Sequence, residues 1–285
     1  MPATVETPSR HFLITVAYDG AGFHGWQRQP SSTSVQGAIE EALEKLVRRP
    51  ARVRAAGRTD AGVHALGQLA AFSVPTRLAA ADLRRGLNAL LPASVRVVAA
   101  EETARPVDPR REAWRKTYVY QLHVGELLPP ERRAHFAWGG RSLDVAAMRA
   151  AARRLEGEHD FTSFARAQAT RHGAIRRLHA VRVRRIPRGV RLFFTGSGFL
   201  YNMVRTLASA LLEVGRGRRQ PDDVVRMLAA RSRGCAPPTL PARGLWLWRV
   251  DLRRSDARPR ARDPHERIEL GDLDHGPARE RAGRP

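Results

Sequence analysis

Across residues 11–18 the apolar side chains of Phe12, Ile14 and Val16 fall on every second position, the period of a strand with one buried face. From Ser34 the spacing changes: Val35, Ile39, Ala42, Leu43, Leu46 and Val47 recur at helical intervals, with Ser34 as an N-cap and Pro50 as a stop. Glu41 with Lys45, and Glu44 with Arg48, place i,i+4 ion pairs on the outer face of that helix. Residues 52–56 and 67–74 read as strands on either side of a polar stretch punctuated by glycines. Leu83, Leu87 and Leu90 share one helical face over 82–91, ended by Pro92, and 94–100 reads as a strand. The order strand, helix, strand, strand, helix, strand is that of a ferredoxin-like βαββαβ unit.

Pro106 and Pro109 mark 105–111 as a linker, and the order then repeats. Residues 113–123 alternate, with Trp114, Lys116, Tyr118, Tyr120 and Leu122 on one face, while Leu143, Ala147, Ala151 and Leu155 mark a helix. The stretch from His159 to Phe164 reads as a packed turn after it. Residues 174–186 and 189–195 read as strands, and Leu200, Val204, Leu207, Ala208 and Leu211 as a helix. A short helix over 221–231 opens on proline and two acids, and 245–252 is expected to close the sheet. The fold class is therefore α+β: two ferredoxin-like βαββαβ domains, 11–105 and 106–252, in a pseudo-twofold arrangement with a central basic cleft. Residues 1–10 are expected to be flexible. Residues 253–285, with Ile268, Leu270 and Leu273 as their large aliphatics, bury too little to order themselves and are expected to be disordered.

Charge adds the partner. The chain of 285 residues carries 50 basic and 28 acidic side chains, a net +22, and Lys45 and Lys116 are its lysines. Residues 253–285 hold 9 arginines against 7 acids, so the excess lies in the body of the chain; it implies a polyanion, most simply nucleic acid, with a basic protein of an arginine-rich proteome as the alternative that composition leaves open. Neither a helix-turn-helix nor a basic heptad region points to DNA. Cys235 is the single cysteine, which excludes an intramolecular disulfide and a cysteine-built metal site. Histidine spacing of the His-x-x-x-His kind is absent, so no metal is expected; nor is there a G-x-x-x-x-G-K-[ST] loop for a nucleotide cofactor. With no apolar leader and no run of membrane-spanning length, a soluble, cytoplasmic protein is expected.

The candidate chemistry lies in Gly57-Arg58-Thr59-Asp60-Ala61-Gly62-Val63-His64-Ala65. An aspartate beside an arginine, with glycines clearing space around it, suits either a structural ion pair or an ionised carboxylate open to a bulky ligand. On the second reading Asp60 is a nucleophile whose pKa the neighbouring cation lowers. This run, followed by Gln68 and an apolar strand, resembles the signature of the TruA-type tRNA pseudouridine synthases, and the resemblance extends over about residues 12–252. It implies that Asp60 is the catalytic nucleophile. Tyr18-Asp19-Gly20 and Gly25-Trp26-Gln27-Arg28-Gln29 also resemble that family, which makes the loop carrying Gln27 and Arg28 RNA-facing. Arg115-Lys116-Thr117-Tyr118 matches the segment that supplies a site tyrosine, so Tyr118 is expected to stack on the target base, with Lys116 at the substrate. Gly198-Phe199-Leu200-Tyr201-Asn202-Met203-Val204-Arg205 matches another motif, which implies that Arg205 holds Asp60 while Arg58 lies nearer the RNA. Ala236-Pro237-Pro238 and Gly244-Leu245 match as well, with Leu245 under the base. One departure is Val107-Asp108-Pro109-Arg110, where the family shows Phe-His-Ala-Arg. The resemblance further implies tRNA as partner, the anticodon stem-loop as target, a homodimer, and no cofactor or metal. The alternative is a non-catalytic RNA-binding protein on the same scaffold.

Overall fold

The alternation of Phe12, Ile14 and Val16 becomes β1 (Ser9–Tyr18), in which each of the three side chains is at most 1% exposed. The computed structural model describes residues 8–171 and 173–253; the expectations for residues 1–7 and 254–285 lie outside the described residues. Helix α1 (Val35–Val47) starts where expected, because the Ser34 hydroxyl accepts the Gly37 N–H and satisfies one of the free donors of the first turn. It ends ahead of Pro50, on Arg48 in the left-handed region at φ 56°. Next come β2 (Arg54–Ala55), β3 (His64–Pro75), α2 (Ala80–Leu90) and β4 (Val95–Thr103). The first-half strands lie in the order β4-β1-β3, with β2 also on β3, all antiparallel.

The linker is partly helical. Asp108 accepts the N–H groups of Arg110 and Arg111 and caps the single turn α3 (Pro109–Glu112). The second half then runs β5 (Ala113–Val124), β6 (Ala137–Gly140), α4 (Val145–Arg154), β7 (Gly157–Asp160), β8 (Ile175–Ile186), β9 (Gly189–Gly196), α5 (Met203–Gly215), α6 (Asp223–Ala230) and β10 (Leu245–Leu252). The four-residue strands β6 and β7 were not foreseen, because runs this short with glycine or charge at half or more of their positions carry no alternation. They pair with β5 and β8, and β7 takes up the start of the expected packed turn.

The last strand was expected to close the sheet and instead lies inside it. β10 pairs in parallel with β3 through Trp246 opposite His64 and Leu247 opposite Ala65, and antiparallel with β5 from Leu245 opposite Tyr120. The two halves thereby share one ten-stranded sheet, along which β10-β5-β9-β8 repeats the neighbour order of the first half. β5 is buried on both faces from Thr117 to His123, so the alternation in its sequence is not an alternation in burial. Its face carrying Tyr118, Tyr120 and Leu122 joins the core formed with Leu207 and Leu211 of α5 and Leu192 and Phe194 of β9. Among the described residues, no helix is long and apolar enough to cross a membrane.

Candidate active site

Asp60 sits in the connection between β2 and β3, and four elements fix that loop. Gln68 of β3 donates from Nε2 to the Gly57 carbonyl at 2.8 Å, and Lys116 of β5 donates from Nζ to the Ala56 carbonyl at 2.7 Å. The Tyr18 hydroxyl at the end of β1 bonds to Thr59 Oγ1 at 2.8 Å. The loop following β1 supplies the fourth brace: the Trp26 N–H donates to the Thr59 carbonyl at 3.0 Å, and Gly62 N–H to the Phe23 carbonyl at 3.3 Å. Gly25 makes this contact possible for two reasons. Its φ is +94°, and a Cβ there would lie 2.6 Å from the Thr59 carbonyl oxygen. Gly25→Ala is therefore expected to lower stability by roughly 1–3 kcal/mol, read as a lower urea midpoint at unchanged m-value.

The nearest cation to Asp60 comes from the other half of the chain. Arg205 of α5 places Nη1 at 3.6 Å from Asp60 Oδ2, and is itself held by Nε donating to the Leu240 carbonyl at 2.7 Å and Nη1 to Asn202 Oδ1 at 3.1 Å. Arg58 is exposed and, among the described residues, forms no ion pair. The lowered pKa expected for Asp60 is corrected: burial raises its carboxyl above the ordinary value, and Arg205 opposes this without reversing it. The cause is geometric, since the carboxylate gives up much of its water while its ion pair, at 3.6 Å, is longer than a tight charge-assisted hydrogen bond.

Asp60 opens onto a cleft of about 1040 Å³ lined also by Gln27, Arg58, Lys116, Tyr118, Arg205 and Leu245. Arg28 stands apart from that group. It pairs with Glu40 at 3.2 Å and Glu41 at 3.8 Å and lines a separate depression beside α1. Tyr118 is buried, with Phe199 edge-on at 5.1 Å and an interplanar angle of 80°. Burial, with Tyr18 and Asp60 nearby, raises the pKa of its phenol, which keeps the hydroxyl a proton donor. Burial, helped by Arg110, lowers that of Lys116. Leu245, 6% exposed, opens β10 at the cleft floor.

Three arginines of the wall, Arg52, Arg54 and Arg110, were not singled out from sequence as site residues. A signal existed for two of them: Arg52 and Arg54 flank Val53, which is 2% exposed, so the alternation turns both outward on the segment leading into the loop. Arg110 belongs to the departing segment 107–110, and its placement at the cleft keeps a cation there.

Behind the Asp60 loop lies a cluster that sequence spacing could not reveal, because its members are far apart in the chain. Asp19 Oδ1 is 3.1 Å from His64 Nδ1, and Asp19 Oδ2 is 2.8 Å from His135 Nε2. The fully buried His64 ring stacks on Trp246 with 4.4 Å between centroids. Burial would raise the Asp19 carboxyl, but hydrogen bonds from the Ala21 N–H and His135, together with the electrostatic influence of His64 and His135, outweigh it and leave the pKa lowered, whereas burial lowers that of His64. These three side chains have metal-ligating atoms within 4.8 Å of one another. However, the Gly20 N–H donates to His64 Nδ1 at 3.1 Å and so engages the lone pair that a metal ion would need. The cluster ties the ends of β1 and of the Asp60 loop to the second half of the chain.

A family model described as tRNA pseudouridine synthase matches residues 14–108 and 151–252, more than half of the chain. The chain is 42% identical over 236 residues to the tRNA pseudouridine synthase A of Geobacillus kaustophilus, covering 82% of this chain and 92% of that protein. To the protein of the same name from Geobacter sulfurreducens it is 42% identical over 242 residues, covering 85% and 99%. To that of Exiguobacterium sp. it is 40% identical over 247 residues, covering 87% and 100%. A likeness at TM-score 0.31 and 15% identity links 71% of this chain to 44% of a chain in the crystal structure of an archaeal box H/ACA sRNP Nop10-Cbf5 complex, and at that level it carries no argument.

Proposed function

The chain belongs to the tRNA pseudouridine synthase family, and on that premise we propose that it isomerises uridine to pseudouridine in the anticodon stem-loop of tRNA, with Asp60 as nucleophile. The observation that carries this reading is the Asp60 carboxylate, open to an arginine-lined cleft and paired with Arg205. The halves 11–105 and 106–252 act as two domains that contribute opposite walls. The first brings Asp60, Arg58 and Gln27, the second Lys116, Tyr118, Arg205 and Leu245.

In the proposed reaction the target uridine is flipped out of its stack into the cleft, where Tyr118 and Leu245 give the uracil an apolar floor. Asp60 attacks either the uracil ring or the ribose C1′, and the N1–C1′ bond breaks. The uracil turns, C5 bonds to C1′, the bond to Asp60 breaks and returns the free carboxylate, and C5 loses its proton while N1 gains one. Every atom of the substrate is retained, so no co-reactant enters the balance. Arg205 keeps the carboxylate oriented and supports its ionised form, and the Tyr118 hydroxyl is a proton donor within the closed site. Arg58 faces the RNA backbone, as do Gln27 and Lys116. Family membership supports tRNA as the substrate, and a cytoplasmic homodimer belongs to the same proposal.

The test is to incubate the protein with unmodified tRNA transcripts, without added metal or nucleotide, and to map pseudouridine by carbodiimide-dependent primer extension. New stops confined to the anticodon arm are expected. Binding of tRNA with no stop in any transcript would replace this reading with that of a non-catalytic RNA-binding protein. Binding is also expected to be strongly salt-dependent. With about six phosphate contacts, affinity should fall about 10³-fold between about 50 and about 200 mM salt, and a flat response in filter binding would count against an electrostatic cleft.

A further inference from the structure

Tyr118, Leu245 and the half-buried Phe199 form the floor of the cleft, and one further tyrosine of the same cleft stands out from it. Tyr201 lines it and is 45% exposed. The periodicity of residues 200–211 predicts a helix that would include Tyr201, yet α5 begins only at Met203. Asn202 adopts the left-handed conformation at φ 65°, which stops the helix from extending backwards. In the resulting turn Leu200 goes into the core at 7% exposure, while Tyr201 goes outward. Arg166 then packs alongside: its N–H donates to the Tyr201 carbonyl at 3.4 Å, and its guanidinium sits 5.8 Å from the centroid of the Tyr201 ring.

A lone exposed aromatic residue is ordinary. Here the ring shares a cleft with the proposed nucleophile and carries an exposed arginine beside it. The proposed reaction also creates a need for such a ring. Flipping the target uridine removes a stacking partner from each nucleotide next to it, and an aromatic face at the cleft mouth replaces that partner.

We propose that Tyr201 is a stacking platform for the nucleobase adjacent to the target uridine, with Arg166 meeting the phosphate beside it. This rests on the reading of the cleft as a tRNA pseudouridine synthase site. Because every base offers a π-face, the platform adds affinity without choosing sequence.

The test compares wild type with Tyr201→Phe, Tyr201→Leu and Tyr201→Ala on an anticodon-arm RNA, with equal urea midpoints as the control for folding. Tyr201→Phe keeps the ring and is expected to bind within about two-fold of wild type, whereas Tyr201→Leu and Tyr201→Ala bind about ten-fold more weakly, the scale of one lost base stack. In the second arm, 5-iodouridine is placed at either nucleotide flanking the target and irradiated in the complex. The crosslinked peptide is expected to contain Tyr201. Binding of Tyr201→Leu as tight as that of Tyr201→Phe, or crosslinks that map elsewhere, would overturn the platform. Neither result depends on turnover, so a wild type that converts uridine while both arms fail removes the platform and leaves the proposed function standing. A wild type that converts nothing removes the proposed function instead.

Discussion

Asp60→Asn is expected to reduce pseudouridine formation by at least about 10⁴-fold in single-turnover assays while tRNA affinity stays close to that of wild type. The amide has the shape of the carboxylate but not its charge or nucleophilicity, and the loop that carries it is held by Gln68, Lys116, Tyr18 and Trp26 independently of the Asp60 side chain. Asp60→Ala guards against slow deamidation of the asparagine restoring the native residue. A variant that isomerises uridine within ten-fold of wild type would sink the nucleophile assignment. Stability supplies a second readout with the opposite sign. Because burial raises the Asp60 pKa in the folded protein, the folded state binds the proton more tightly than the unfolded one. Stability from this group is therefore fully present below the unfolded pKa and is lost as pH rises through the folded one. At neutral pH the ionised carboxylate is a net cost, so Asp60→Asn is expected to raise the urea midpoint. A lower midpoint would mean that the pairing with Arg205 outweighs burial.

Arg205→Met is expected to lower kcat/KM at neutral pH by about 10²- to 10³-fold and to move the acid limb of the pH profile upward. Arg205 is the influence that opposes burial at Asp60, so its removal raises the carboxyl pKa further and ionisation comes at higher pH. The substitution also deprives the Leu240 carbonyl and Asn202 Oδ1 of their donor, which loosens the turn before α5. Arg205→Lys separates the two effects: it restores a cation without the two-point grip on Leu240 and Asn202, so the acid limb should return toward wild type while the rate recovers only in part. An acid limb unchanged in Arg205→Met would show that the group titrating in the profile is not Asp60.

The local features of the fold were readable from sequence, and the reasons are particular. Ser34 caps α1 because its hydroxyl needs only the N–H three residues on. Phe12, Ile14 and Val16 define a strand because one buried face requires period two. The glycines at 57 and 62 announce a loop, and the motif around Asp60 sets out the candidate chemistry within nine residues. The site was legible to the extent that it is built from such runs. Gln27, Arg58, Asp60, Lys116, Tyr118, Arg205 and Leu245 do converge on one cleft, whereas Arg28, adjacent to Gln27 in sequence, is drawn away by Glu40 and Glu41.

The order of the elements other than α3, β6 and β7, the polycationic body of the chain and the motif around Asp60 were thus determined by sequence alone, since each is expressed within a few residues or in the sum over all of them. Tertiary structure decided that β10 lies between β3 and β5, that Asp19 joins His64 to His135, and that the Asp60 carboxyl is raised and not lowered. Strand neighbours and proton affinities depend on groups brought together from distant parts of the chain, and the water that folding removes from a carboxylate leaves no mark on the residues beside it.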